Sequence, residues 1–168
     1  FEMPNVEGPE GIFSELETRR KFKELIPEKV RDQYTQDRPI EIRPLDPINY
    51  LAPDVRKPYK QNWFRAISNL PDDPVIHQCI LAYASDFGLL GTSMLPHGVT
   101  FMGKGMQVAS LDHAIWFHRD FRVDDWLLYD MDSPSASGGR GLNRGNIYNQ
   151  NGVLVASVCQ EALIRKRK

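Results

Sequence analysis

The sequence predicts an α+β fold in which an antiparallel β-sheet wraps around one long buried central helix. Two observations carry this expectation. The stretch VIHQCILAYASDFG, opened by Asp73-Pro74, is apolar nearly all round rather than along one stripe, a pattern that fits a helix covered on most sides. After it the chain shows strand signals alone, over Met106–His118, Trp126–Met131, Leu142–Tyr148 and Val153–Ile164. The last two runs are joined through Asn149-Gln150-Asn151-Gly152, where Asn-Gly marks a hairpin. Strands before a covered helix and a meander of strands after it are most simply satisfied by one sheet around one helix.

The remaining elements follow in chain order. FEMPNVEGPEG has the proline, glycine and acidic residues of a linker and no signal-peptide pattern, so a further N-terminal part is expected before Phe1. Ser14 with Glu17 is a capping-box signature and predicts a helix from Ser14 towards Leu25. Pro27 interrupts it, and a second short helix is expected over Glu28–Gln33. Ile40-Glu41-Ile42-Arg43 alternates like a strand and is closed by Pro44 and Pro47; a second strand covers Gln61–Ile67. Asp73 caps the apolar helix with Pro74 at its first position, and Gly88 or Gly91 offers its stop.

Composition narrows the function. With 168 residues, 41% hydrophobic and 26% charged, the chain has the size of one ordinary globular domain. A net charge of −1 provides no field for nucleic acid or a membrane surface, and no apolar run is long enough to cross a bilayer. Cys79 and Cys159 lie in apolar runs and read as reduced, buried thiols. The basic end, Arg165–Lys168, reads as a solvated tail, and His97 as a loop residue. Gly138–Gly145 lacks the spacing of a phosphate-binding loop and reads as a bulged strand start, with Arg140 or Arg144 as a candidate anion contact.

Three polar residues stand where apolar ones are expected. Asp86 falls late in the apolar helix, where burial costs a carboxylate several kcal/mol unless it is paired, and where the helix dipole repels it. An acid strained in this way takes up a proton readily, which suits a general base. Gln160 shares a strand face with Leu154, Ala156, Val158, Ala162 and Ile164. In VASLDHAIWFHRDF, strict alternation puts Ser110, Asp112, Trp116 and His118 on one face and His113 on the other. His113 and His118 then point apart and cannot share a metal. Asp86, Ser110 and Gln160 can converge on one water, with Asp112 as the second candidate carboxylate. No serine–histidine or cysteine–histidine pairing is evident, so attack by an activated water is the natural chemistry.

The motifs HQCILAYASDFGLLGTSMLPHG, VASLDHAIWFHRDF, WLLYDMDSPSASGGRGLNRG and NGVLVASVCQEALIR resemble the second half of the acyl-CoA thioesterase II family. The likeness runs from about Asp37 to Arg165. It implies a hot-dog fold, an antiparallel sheet around a central helix, as the C-terminal half of a tandem double hot-dog enzyme. Residues 1–36 are then the interdomain linker with short helices, and residues 37–168 the thioesterase domain. The resemblance also implies hydrolysis of acyl-CoA to fatty acid and CoA without metal or redox cofactor, with Asp86, Ser110 and Gln160 positioning the water. Many members have threonine where this chain has Ser110. The implied partners are the acyl-CoA substrate, the N-terminal half of the same protein and further copies in a homo-oligomer, in a cytoplasmic setting. Two rival readings are a hot-dog acyl-thioester hydratase, for which His113 is the available base, and a half that is not catalytic by itself.

Overall fold

The computed structural model describes residues 1–167, and its seven strands form one sheet in which every pairing is antiparallel. In chain order the elements are α1 (Glu15–Lys21), a 3₁₀ turn (Lys23–Leu25), α2 (Glu28–Thr35), β1 (Ile40–Pro44), β2 (Tyr59–Ala66) and α3 (Pro74–Ala84). A 3₁₀ segment (Leu90–His97) precedes β3 (Met106–Ser110), β4 (Ala114–Phe117), β5 (Leu127–Ser137), β6 (Arg140–Asn149) and β7 (Leu154–Lys166). The spatial order is β1-β2-β5-β6-β7-β3, and β4 also pairs with β7.

Local chemistry sets the element ends. The capping box forms as the sequence predicts: the Glu17 N–H donates to Ser14 Oγ at 3.1 Å, and the Ser14 N–H to Glu17 Oε2 at 2.7 Å. At the β6–β7 hairpin, Asn149 Oδ1 accepts from the Asn151 and Val153 N–H groups, both at 3.0 Å. Gly138 and Gly139 take positive φ and turn β5 into β6, so the glycine-rich run is a hairpin turn continuing into a strand.

Helix α3 starts where expected, with Asp73 accepting from the Val75 N–H at 2.9 Å. It stops earlier than the sequence suggests, at Ala84 rather than Gly88. The Ser85 hydroxyl donates back to the Ala82 carbonyl at 2.9 Å, competing with the helical ladder, and Gly88 turns the chain away at φ 79°. Asp86 therefore lies in the turn beyond the helix. His77, Leu81 and Ala84 form the buried stripe, while Val75, Cys79 and Tyr83 face outward. The sequence reads this helix as covered on most sides; this chain covers one side. Cys79 is accordingly exposed and Cys159 half-buried, not the buried thiols expected.

Two apolar layers sandwich the sheet. On the concave face Leu81, Ala84 and Leu89 pack with Phe64, Leu127, Tyr129, Met131, Ile147 and Val158. Each such large side chain contributes about 1.5–3 kcal/mol when fully buried. The first turn of α3 is anchored by His77, whose Nδ1 accepts from the Val123 N–H at 3.2 Å while Nε2 donates to the Pro71 carbonyl at 3.1 Å. Beside it, burial pushes the Asp124 pKa up, but the Arg122 guanidinium and the Leu70 N–H outweigh that and hold it below the usual carboxylate value. On the convex face Trp63, Trp126, Leu128 and Tyr148 pack with Met3, Val6 and Ile12 of the opening segment, and Trp63 Nε1 donates to the Glu7 carbonyl at 2.8 Å.

Gly145 in β6 has a packing role. A Cβ there would intrude on the Tyr129 ring of the neighbouring strand. Replacing Gly145 with Ala is expected to cost about 1–3 kcal/mol, as overpacked cores do. Denaturant unfolding measures it, and an unchanged midpoint would mean that the ring shifts freely.

Candidate active site

The site depends on an irregularity in the run that the sequence reads as one strand, Met106–His118. Ser110 pairs with Ala162, but Ala114 pairs with Cys159, so Leu111, Asp112 and His113 face only Gln160 and Glu161. This is a one-residue bulge. Asp112 holds it by accepting the Glu161 N–H at 2.7 Å, and the Leu111 N–H donates to the Glu161 carbonyl at 2.9 Å. The extra residue inverts the alternation. Val108 and Ser110 face inward in β3, whereas in β4 the inward side chain is Ile115, opposite Val158. His113 thus joins the face of Ser110, contrary to strict alternation.

Four side chains meet beyond the end of α3. Gln160, fully buried, donates through Nε2 to Asp86 Oδ1 at 2.5 Å and to His113 Nδ1 at 3.0 Å. Ser110 Oγ donates to the same Asp86 oxygen at 3.3 Å. The reverse amide orientation would set oxygen against carboxylate, so the donors are fixed. His113 must then accept at Nδ1 and carry its proton on Nε2, which donates to Ser85 Oγ at 2.8 Å. The Ser85 carbonyl in turn accepts from the Tyr129 hydroxyl at 2.8 Å. Burial, and after it the nearby Asp86 charge, pushes the Tyr129 pKa well above its ordinary value, so this hydroxyl remains a donor.

The three residues chosen from sequence are therefore brought together, with changes in their surroundings. The Asp86 side chain is 52% exposed, so it does not carry the burial cost expected of it. Asp112 is engaged through Oδ1 at the bulge and does not join the hydrogen-bonded cluster around Asp86. His118 contacts Ser157 at 3.0 Å, away from this cluster. Arg144 is paired with Asp132 at 2.5 Å and Arg140 with Glu161 at 3.4 Å, so both candidate anion contacts have acidic partners. His97 closes the 3₁₀ segment.

Asp86 and Ser110 stand between two hollows. One is a cavity of roughly 270 Å³ walled by Leu90, Met94, Leu95, Val99 and Val108. The other is an open depression among Tyr83, Phe87, Leu111, His113 and Gln160. A water-accessible carboxylate at the mouth of an apolar cavity can take a proton from water beside the carbonyl of an apolar acyl group.

The sequence pattern of the acyl-CoA thioesterase family matches residues 29–163. The chain belongs to the acyl-CoA thioesterase family. It is 41% identical over 164 residues to acyl-CoA thioesterase 2 of Haemophilus influenzae, covering 97% of this chain and 57% of that protein. The crystal structure of acyl-CoA thioesterase II TesB2 from Mycobacterium marinum superposes with a TM-score of 0.74 at 39% identity, covering 100% of this chain and 57% of that one. A hot-dog protein of unknown function from Alicyclobacillus acidocaldarius matches at TM-score 0.67 and 16% identity, covering 99% of this chain and 55% of that one. The fold is the hot-dog fold. The chain spans little more than half the length of the curated relatives it matches.

Three contributors to this candidate site are hidden from pattern reading. His113 is displaced by the bulge, for which the only signal is an aspartate inside a strand that competes for a backbone N–H. Ser85 looks like an ordinary residue near a helix end. Lys60, on the concave face of β2, is 8% exposed, and its ammonium forms neither an ion pair nor a hydrogen bond among the described residues. It lines both the cavity beside Asp86 and a small one with Glu15, Arg19 and Asn62. Burial pushes its pKa below the ordinary lysine value, opposed only by the Glu15 charge.

A depressed lysine pKa means that the unfolded chain holds the proton more tightly. The destabilisation is full below the folded-state pKa and disappears above the unfolded value, about 10.4. Lys60→Met is therefore expected to raise the melting temperature at pH 7, with a gain that shrinks as pH rises past 10. Thermal unfolding at the two pH values measures this; a gain independent of pH would contradict it.

Proposed function

We propose that this chain hydrolyses acyl-CoA thioesters to fatty acid and CoA as the C-terminal half of a tandem double hot-dog enzyme. The observation that carries the reading is the convergence of Gln160 and Ser110 on one oxygen of a half-exposed Asp86 at the mouth of an apolar cavity. With Oδ1 held by those donors, Oδ2 takes a proton from water as its oxygen attacks the thioester carbonyl. Collapse of the tetrahedral intermediate breaks the C–S bond, and the sulfur leaves as thiol with the proton returned from Asp86. Ser110, exposed beside Asp86, orients the water. Both Gln160 N–H groups already have acceptors, so its role in this reading is to hold the carboxylate rather than to bind the oxyanion. No metal or redox group is required.

The hydratase alternative needs a histidine free to act at the acyl chain. Both His113 ring nitrogens have protein partners, Gln160 and Ser85, which favours hydrolysis. Around the open depression Tyr83 and Leu111 are each more than half exposed, a surface suited to the N-terminal half or to further copies of the protein.

Asp86→Asn keeps shape while removing the base, and kcat/KM for acyl-CoA is expected to fall about 10²–10⁴-fold. Because the carboxylate is half-exposed, the unfolding midpoint should stay put. The assay is release of free thiol, followed beside enoyl absorbance, in this chain and in the intact protein. Full thiol release by the variant would refute the assignment, and an enoyl signal would favour the hydratase.

His113→Phe removes the acceptor that orients Gln160. We expect kcat to fall by up to about a hundredfold with KM little changed, as misplacement of a catalytic group does. A loss confined to KM would place His113 in substrate binding instead.

A further inference from the structure

We propose that α1, α2 and the turn between them complete the acyl-chain site: the far end of a long acyl chain lies in a second apolar cavity against these helices, and Tyr50 with Phe101 forms the partition that sets which chain lengths reach it. The inference rests on the acyl-CoA reading above and extends it to substrate selection.

The second cavity, of roughly 380 Å³, lies between the α1–α2 segment and two loops, with Phe22, Leu25, Ile26, Pro27, Leu51 and Met102 in its walls. Ile48, Tyr50 and Phe101 line both this cavity and the one that opens at Asp86 and Ser110. The two spaces are thus separated by one layer of side chains. The Tyr50 and Phe101 rings stand 5.6 Å apart, tilted by 51°, and Thr100 Oγ1 donates to the Tyr50 carbonyl at 3.1 Å, tying the two loops together at the partition.

The chemistry of the walls selects the occupant. A chain starting at the catalytic carbonyl and filling the first cavity has two neighbouring spaces ahead. One is small, roughly 70 Å³, and lined by Glu15, Arg19, Asp46 and Lys60, four charged residues, of which the first cavity shares Lys60 and the second shares Arg19. The other is larger and mainly apolar. Phe22, Leu25 and Leu51 there leave 50%, 65% and 53% of their surface to water, which a hydrocarbon chain would cover. The residues that join the two halves of the proposed tandem enzyme would then also measure its substrate.

The test uses the full polypeptide. A non-hydrolysable thioether analogue of a long-chain acyl-CoA, carrying a diazirine at the chain end, is photolysed on the wild-type protein. Labels on Phe22, Ile26 or Met102 are expected, and a short analogue should label the first cavity at Met94. Labels from the long analogue confined to other surfaces would overturn the proposal. In parallel, Ile26→Trp fills the second cavity. At about fourfold per methylene of lost burial, excluding two or three methylenes lowers kcat/KM for long chains about 15- to 60-fold, leaving short chains unchanged. An equal loss at all lengths, or none, would overturn it too. Wild-type protein that cleaves no acyl-CoA of any length would instead refute the underlying reading.

Discussion

One extra residue between Ser110 and Ala114 is the constraint from which the site follows. Without it, the alternation of β3 would continue and point His113 away from Gln160. With it, strand 106–117 presents Ser110 and His113 on one face, on either side of Gln160 from β7, opposite the end of α3. A bulge exposes backbone groups that need new partners. Asp112 and Leu111 supply them through Glu161. The aspartate that is the second candidate carboxylate in the sequence is therefore the one that holds the bulge.

The other wall of the site is fixed with equal economy of parts. Ser85 ends α3 by bonding back to Ala82, receives the His113 Nε2–H and offers its carbonyl to Tyr129. Tyr129 can reach it because Gly145 on the adjacent strand has no side chain. Asp86, next in sequence, is thereby held at a fixed distance from β7. Its position is set by buried hydrogen bonds, although its own carboxylate meets water.

Much of this architecture is legible in the sequence because it rests on short-range rules. The Ser14–Glu17 box, the Asp73-Pro74 helix start and the Asn149–Gly152 turn each use contacts within a few residues, and each forms. Asp86, Ser110 and Gln160 could be chosen because each is a polar residue out of keeping with its apolar neighbours. What the sequence hides is longer in range. The bulge depends on Glu161, far along the chain from Asp112, and strand alternation fails there with no local mark beyond that aspartate. The exposure of Asp86 depends on where α3 stops, which Ser85 decides through a side-chain bond that composition does not reveal. Lys60 looks like the polar half of an alternating strand until β2 is seen to turn it inward. An apolar helix signals that something covers it, but not whether the cover belongs to the same chain.

The two ends of α3 differ in a way that separates stability from function. At its first turn every buried polar group is answered: His77 by Val123 and Pro71, Asp124 by Arg122 and Leu70. Around its last turn the unfavourable features gather. Gln160 Oε1 is buried without a partner, a state that costs about 1–3 kcal/mol. Burial disfavours the charged form of Lys60 in the wall of the cavity beside Asp86, and Tyr83 and Leu111 leave aromatic and aliphatic surface open to water. An apolar residue in place of Gln160 would pack without that cost, but it would leave Asp86 and His113 without their shared donor. Gln160 thus keeps a local conflict at the end of α3 where Asp86 and His113 share its donor, the kind of conflict a fold retains for a reason other than stability.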